Sequence, residues 1–163
     1  MAVVSEFAIT IFLVVLVGAC AFQPGGVEAE NQEAYMTIQE VHSLCEKLGK
    51  CGNILCCEGK TVKLKGYLDP VNIWYREKHP WLDYEKFIIT GKPDPYHDPS
   101  DSIEIYVSGN NTIPFFRKLQ KISSRKLIYV EGTIEGVNAY TNKGPLRLLR
   151  IRAHPEHIML PDQ

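Results

Sequence analysis

Thr61-Val62-Lys63-Leu64-Lys65-Gly66-Tyr67-Leu68 alternates apolar and polar side chains with a period of two. In an extended chain successive side chains point to opposite faces. Val62, Leu64, Gly66 and Leu68 therefore share one face, and Lys63, Lys65 and Tyr67 the other. This is a strand with one face in a core. Gly66 inside it predicts a bend or bulge, as small curled sheets need where one strand serves both halves.

Working outward, Lys86 to Thr90 reads as a second strand and Ser102 to Val107 as a third, with Ile103, Ile105 and Val107 inward. Asn111 to Ser123 reads as a helix. Asn111 or Thr112 caps it, Pro114 sits in the first turn, and Ile113, Phe116, Leu119 and Ile122 form an apolar stripe. Leu127 to Ile134 is a fourth strand with Gly132 as another bend, and Leu146 to Ala153 a fifth, which His157 to Leu160 extends or flanks. Upstream, Thr37-Ile38-Gln39-Glu40 is a capping box followed by an apolar stripe at Ile38, Val41, Leu44, Cys45 and Leu48, with Gly49 as a stop.

The order strand, strand, strand, helix, strand, strand predicts a mainly β fold. Gly59-Lys60-Thr61-Val62-Lys63-Leu64-Lys65-Gly66-Tyr67 resembles the GK-x-V-x-V-x-G opening of many bacterial OB domains. Ile128-Tyr129-Val130-Glu131-Gly132-Thr133-Ile134-Glu135-Gly136 resembles their V-x-V-x-G-x-V fourth strand. The chain resembles small exported OB-fold lipoproteins of the nucleic-acid-binding-like superfamily. The resemblance covers residues 59 to about 160. It implies a five-stranded OB-fold barrel (β-β-β-α-β-β) preceded by a Cys-linked helix. The expected organisation is a signal peptide at 1–19, a tether at 20–34 behind a lipidated Cys20, an N-terminal helix and cysteine-rich segment at 35–58, and the OB-fold domain at 59–163.

The leader reading rests on the apolar run Phe7 to Val17, too short to cross a bilayer as a stable helix. Val17-Gly18-Ala19-Cys20 behind it resembles a bacterial lipobox, which implies lipid on the Cys20 sulfur. No Lys or Arg precedes the run, and simple secretion or an uncleaved anchor are the other readings. The expected setting is the bacterial cell envelope, with the membrane as partner through the anchor.

Four cysteines remain, Cys45, Cys51, Cys56 and Cys57. Outside the cytoplasm they read as disulfides. A vicinal Cys56–Cys57 bridge is strained, so Cys45 and Cys51 are expected to pair with Cys56 and Cys57 in either order. The other readings are a metal or thiol-redox site, although the spacing C-x5-C-x4-C-C contains no C-x-x-C, or free buried thiols.

Charge bounds the partners. The net of −1 hides −5 over residues 1–59 and +4 over residues 60–163, so the folded part is mildly basic. The first expected loop, Asp69 to Glu85, is long and carries Trp74, Tyr75, Trp81 and Tyr84 interleaved with Arg76, Lys78 and His79. Rings alternating with cations suit stacking on single-stranded bases. Equally, such rings can cap an open end of the sheet. The second expected loop, Val137 to Pro145, adds Asn138, Tyr140, Asn142 and Lys143. Arg150 and Arg152 share a face opposite to Arg147.

No phosphate loop, nucleophile elbow or His-Glu-x-x-His is present. Asp94, Asp98 and Asp101 with His97 read as a solvated turn rather than a calcium loop. His154 and His157, three apart on an extended chain, should point to opposite faces. The H-x-x-x-Y motif of the periplasmic haem chaperone, another exported OB-fold, is absent: Ile158 and Pro161 stand four beyond the two histidines. The functional expectation is a non-enzymatic, lipid-anchored envelope module that engages a protein or small ligand through its sheet face, with Trp74, Tyr75, Arg76, Trp81, Tyr84, Tyr140 and Lys143 as candidate contacts and no cofactor or metal. The alternatives are a single-stranded nucleic-acid binder, possible but not favoured because the envelope holds little nucleic acid, and a thiol-redox or metal protein.

Overall fold

The computed structural model describes residues 34–94, 99–142 and 144–161. The expected leader, Cys20, the tether up to Glu33, His97, Asp98 and Lys143 lie outside these residues.

Helix α1 (Ile38–Leu48) begins with the expected capping box. The Thr37 hydroxyl accepts from the Glu40 amide at 3.2 Å, and the Thr37 amide donates to Glu40 Oε2 at 2.6 Å. These backbone and hydroxyl donors hold the Glu40 carboxyl below its ordinary pKa. Gly49, at φ 70°, closes the helix in a conformation that favours glycine. A short hairpin, β1 (Lys50–Cys51) with β2 (Ile54–Leu55), follows. Two disulfides, Cys45–Cys57 and Cys51–Cys56, tie the segment together. The first joins the buried face of α1 to the approach of the main sheet, and Cys57 is fully buried.

The main sheet contains β3 (Thr61–Trp74), β4 (Glu85–Thr90), β5 (Ser102–Val107), β6 (Leu127–Thr141), β7 (Gly144–Ala153) and the short β8 (Ile158–Met159), in the order β3-β4-β5-β7-β6-β8. An additional antiparallel β3–β6 pairing, Thr61↔Thr133 through Tyr67↔Leu127, turns the sheet back on itself. The β5–β7 pairing is parallel and the rest antiparallel. This mainly β strand order is OB-fold-like. The expected count of five is corrected to six, because within the segment His157 to Leu160, expected to extend or flank the fifth strand, Ile158 and Met159 form β8, which pairs with β6 through Tyr129↔Met159 and Val130↔Ile158.

The core follows the period-two pattern. Leu64, Leu68, Phe87, Ile89, Ile105, Ile128, Val130 and Ile151 have no exposed surface. Burying each such side chain contributes about 1.5–3 kcal/mol. Helix α2 (Thr112–Leu119) is shorter than the expected 111–123 and lays Phe115, Phe116 and Leu119 on this core. The Phe115 and Phe116 rings lie 6.1 and 6.4 Å from Phe87.

The long first strand serves both halves of the sheet as expected, passing from β6 to β4 at Tyr67, but its irregularity is not a bulge at Gly66. Gly66 pairs regularly with Ile128 and is not a bulge. A Cβ there would approach Ile89 Cδ1 to 3.0 Å, so glycine serves close packing inside the curl. The register break in β3 falls between Leu68 and Ile73, around Pro70, which has no amide proton to give the ladder. Asp69 replaces the lost pairing locally, accepting from Asn72 Nδ2 at 2.6 Å and from the Val71 amide at 3.3 Å.

Candidate ligand-binding face

The outward face of β4, β5 and β7 is built by strand register. Lys86, Tyr106 and Arg152 stand opposite one another across the three strands, and Lys86 also pairs with Trp74 at the end of β3. One row across four strands therefore reads Trp74, Lys86, Tyr106, Arg152. The row beside it reads Ile88, Glu104, Arg150, and continues to Glu135 on β6. The intervening residues Phe87, Ile105 and Ile151 point into the core. Alternation forces these rows onto one surface.

Within the rows rings meet cations. Lys86 Nζ lies 5.2 Å from the Trp74 ring centroid and 5.1 Å from that of Tyr84. The Arg150 guanidinium carbon lies 4.5 Å from the Tyr106 centroid. Both are within the range of a favourable cation–π contact. Each cation also has a carboxylate. Lys86 pairs with Glu104, and Glu135 accepts from Arg150 Nε at 2.9 Å and from Arg152 on its other oxygen. The face is therefore aromatic, polar and close to charge balance. A planar, electron-poor ring system could stack here; a simple anion would first have to displace a carboxylate.

The candidate contacts from sequence divide. Trp74 is half-buried on this face with Tyr84 beside it. Tyr75 is not on it: the ring is 5% exposed, stacks on Phe116 with centroids 5.4 Å apart, and donates its hydroxyl to Gln120 Oε1 at 2.7 Å. Arg76 is exposed at the start of the following turn, with Nε 3.9 Å from the buried Glu85 carboxylate. Trp81 is 75% exposed and meets the His79 ring at 5.3 Å. Tyr140 is 87% exposed near the tip of the β6–β7 hairpin. Lys86, Tyr106, Arg150 and Arg152 complete the face. Reading the outward positions of the second and third strands together would have found Lys86 and Tyr106.

Beside the face, and sharing Arg150 and Arg152 with it, lies a cleft of about 720 Å³ also lined by Thr61, Glu131, Thr133 and Glu135, with His154 and His157 at its edge. The two histidine rings lie 6.2 Å apart, contrary to the opposite faces expected of an extended chain. A single 3₁₀ turn, Pro155–His157, curls the backbone and brings them to one side. Among the described residues no group of three or more His, Cys, Asp or Glu side chains is placed to hold a metal. The disulfide pairing occupies all four of the described cysteines. Glu58 also lines the cleft; Arg147 grips it through two guanidinium nitrogens and holds its pKa down to about 2.

No family model and no curated protein sequence matches the chain. Solved structures do. The chain is similar to the mitochondrial single-stranded DNA-binding protein Rim1 of S. cerevisiae, with 15% identity over 65% of this chain and 98% of that one and a TM-score of 0.45. It is similar to an OBody, NL8, bound to hen egg-white lysozyme, with 13% identity over 64% and 97% and a TM-score of 0.41. It is also similar to a Plasmodium falciparum SSB in complex with ssDNA, with 17% identity over 61% and 89% and a TM-score of 0.38. These likenesses are of fold. The expectation of an envelope module for a protein or small ligand is corrected here: two of these neighbours are named as single-stranded DNA-binding proteins.

Proposed function

We propose that the chain binds single-stranded nucleic acid on the outward face of β4, β5 and β7, with the five long strands β3 to β7 acting as an OB-fold barrel and β8 as an appendage. The observation that carries this reading is the row Trp74, Lys86, Tyr106, Arg152, which places rings and cations alternately across four neighbouring strands. Adjacent strands lie about 4.8 Å apart. Rings and guanidinium planes at that spacing offer successive stacking surfaces to unpaired bases, and each stacked base contributes about 1–3 kcal/mol. The same surfaces are closed to a duplex, whose bases are already stacked on one another.

The carboxylates on the face shape the energetics. Glu104 and Glu135 offset most of the charge of Lys86, Arg150 and Arg152, so stacking supplies more of the affinity than counterion release does. Titration of the domain with fluorescent oligonucleotides at several salt concentrations tests this. The expected result is binding of single strands over duplexes, with a shallow dependence of log K on log salt, equivalent to about one or two phosphates. Equal binding of duplex and single strand, or none, removes the reading.

A further inference from the structure

We infer that Glu135 is a specificity-determining residue that competes with the phosphodiester backbone for Arg150 and Arg152, so that the cleft beside the platform takes a phosphate only when a strand already stacked on the platform presents it. The inference rests on the nucleic-acid reading and adds to it a second subsite and the group that restrains it.

The geometry is that of a closed latch. Glu135 lies opposite Arg150 in the β6–β7 register. One of its oxygens accepts from Arg150 Nε at 2.9 Å and the other from Arg152. A single carboxylate thus spans two guanidinium groups, leaving one positive charge uncompensated. Its side chain is only 16% exposed, whereas Arg152 is 53% exposed, so the cationic side of the latch faces solvent. Arg150 is at the same time held over the Tyr106 ring. The latch is therefore joined directly to the stacking surface, and it lines the cleft of about 720 Å³ together with Thr61, Thr133 and two further carboxylates, Glu131 paired to Lys63 and Glu58 paired to Arg147.

Three consequences follow from charge. A free anion arriving from solvent meets Glu135 as well as the arginines and gains little. A strand whose base is stacked at Tyr106 brings its phosphate to the latch at high local concentration, enough to displace Glu135 from the Arg152 donors it holds. Removing the Glu135 charge while keeping an acceptor oxygen should release the restraint.

The test is Glu135→Gln, measured by fluorescence anisotropy with a labelled single-stranded oligothymidylate over a range of salt. The expected result is roughly three- to tenfold tighter binding at low salt, the size of one unit charge removed at contact range in water-like surroundings. The plot of log K against log salt should steepen by about 0.7, one added phosphate contact on a single strand. Glu46→Gln on α1, which removes the same charge elsewhere, should give a smaller gain and no change of slope. In an Arg152→Gln background the gain from Glu135→Gln should shrink; this comparison also reports on the latch when the single variant folds poorly. Wild-type binding with an unchanged or weaker Glu135→Gln variant overturns the inference alone. Absence of binding by both proteins overturns the nucleic-acid reading and the inference with it.

Discussion

Arg150 lies over the ring of Tyr106, its guanidinium carbon 4.5 Å from the centroid, although the two residues stand on different strands and forty-four positions apart in sequence. The parallel β5–β7 pairing makes the contact. It sets Tyr106 opposite Arg152 and places Arg150 one step along the same face. Removing the ring should therefore weaken nucleic-acid binding without opening the core. Tyr106→Ala is expected to cost about 1–3 kcal/mol of binding free energy, and Tyr106→Phe, which keeps the stacking surface, much less. Trp74→Ala should behave like Tyr106→Ala. Anisotropy titrations alongside thermal melts check both.

Tyr75 makes the opposite prediction. It stacks on Phe116 and is buried, so its removal should act on stability. Tyr75→Ala is expected to cost about 3–5 kcal/mol, in line with other large-to-small changes in a packed core. Tyr75→Phe keeps the ring and loses only the hydrogen bond to Gln120, for about 0.5–1.5 kcal/mol. Chemical denaturation separates the two. The exposed Trp81, replaced by Ala, should change stability by no more than about 0.5 kcal/mol.

These contrasts show what a linear pattern can carry. The inward faces of the strands were legible because burial imposes a period of two, and Ser102–Val107 was read with its observed ends. The capping box was legible because Thr37 and Glu40 are local partners. The disulfide partners were legible as a set, since a vicinal bridge is strained, but not their order, because Cys45 and Cys51 lie at comparable chain distances from both Cys56 and Cys57. The binding face was not legible as a row. Trp74, Lys86, Tyr106 and Arg152 come together only through inter-strand register, which no single strand encodes. Loop length also misled. The β6–β7 hairpin continues to Thr141 and Gly144 because Val137 to Tyr140 stay extended and Gly144, at φ 110°, allows the tight return.

The Glu58–Arg147 pair predicts an acid-side loss of stability. The Arg147 hydrogen bonds lower the Glu58 pKa to about 2, below its ordinary value of 4.5. A group depressed on folding stabilises the native state fully above its unfolded pKa. That contribution is lost as pH falls from about 4.5 through about 2. In Arg147→Gln the Glu58 resonance should titrate closer to the ordinary carboxylate range, and the acid-side destabilisation over that window should shrink. Carboxyl-detected NMR titration of both proteins measures this.

Gly132 is a steric position. It is buried in β6, and a Cβ there would lie 2.5 Å from the backbone oxygen of Arg152 and from Ile151 Cγ2. Backbone cannot yield as a flexible side chain does. Gly132→Ala is expected to destabilise by about 1–3 kcal/mol, as overpacking does. It should also weaken oligonucleotide binding at the Arg150–Arg152 edge by disturbing the β6–β7 register. Denaturation midpoints and anisotropy report the two effects.

The disulfides should differ in weight. Cys45–Cys57 closes a sequence separation of 12 and Cys51–Cys56 one of 5. Chain entropy alone gives about 3 and about 2 kcal/mol respectively. Replacing Cys45 and Cys57 together by Ser should cost more than the difference implies, because Cys57 is fully buried and a hydroxyl there lacks solvent. Melting temperatures of the two double variants give the ranking.

Unpaired bases are expected to stack on the row from Trp74 to Arg152. Amide and side-chain NMR of the isotopically labelled chain, recorded during titration with a short single-stranded oligonucleotide, tests it most directly. The largest shifts should map to Trp74, Tyr84, Lys86, Tyr106, Arg150 and Arg152. Shifts concentrated instead around Lys121 and Lys126, or the absence of any shift at saturating oligonucleotide, would contradict it.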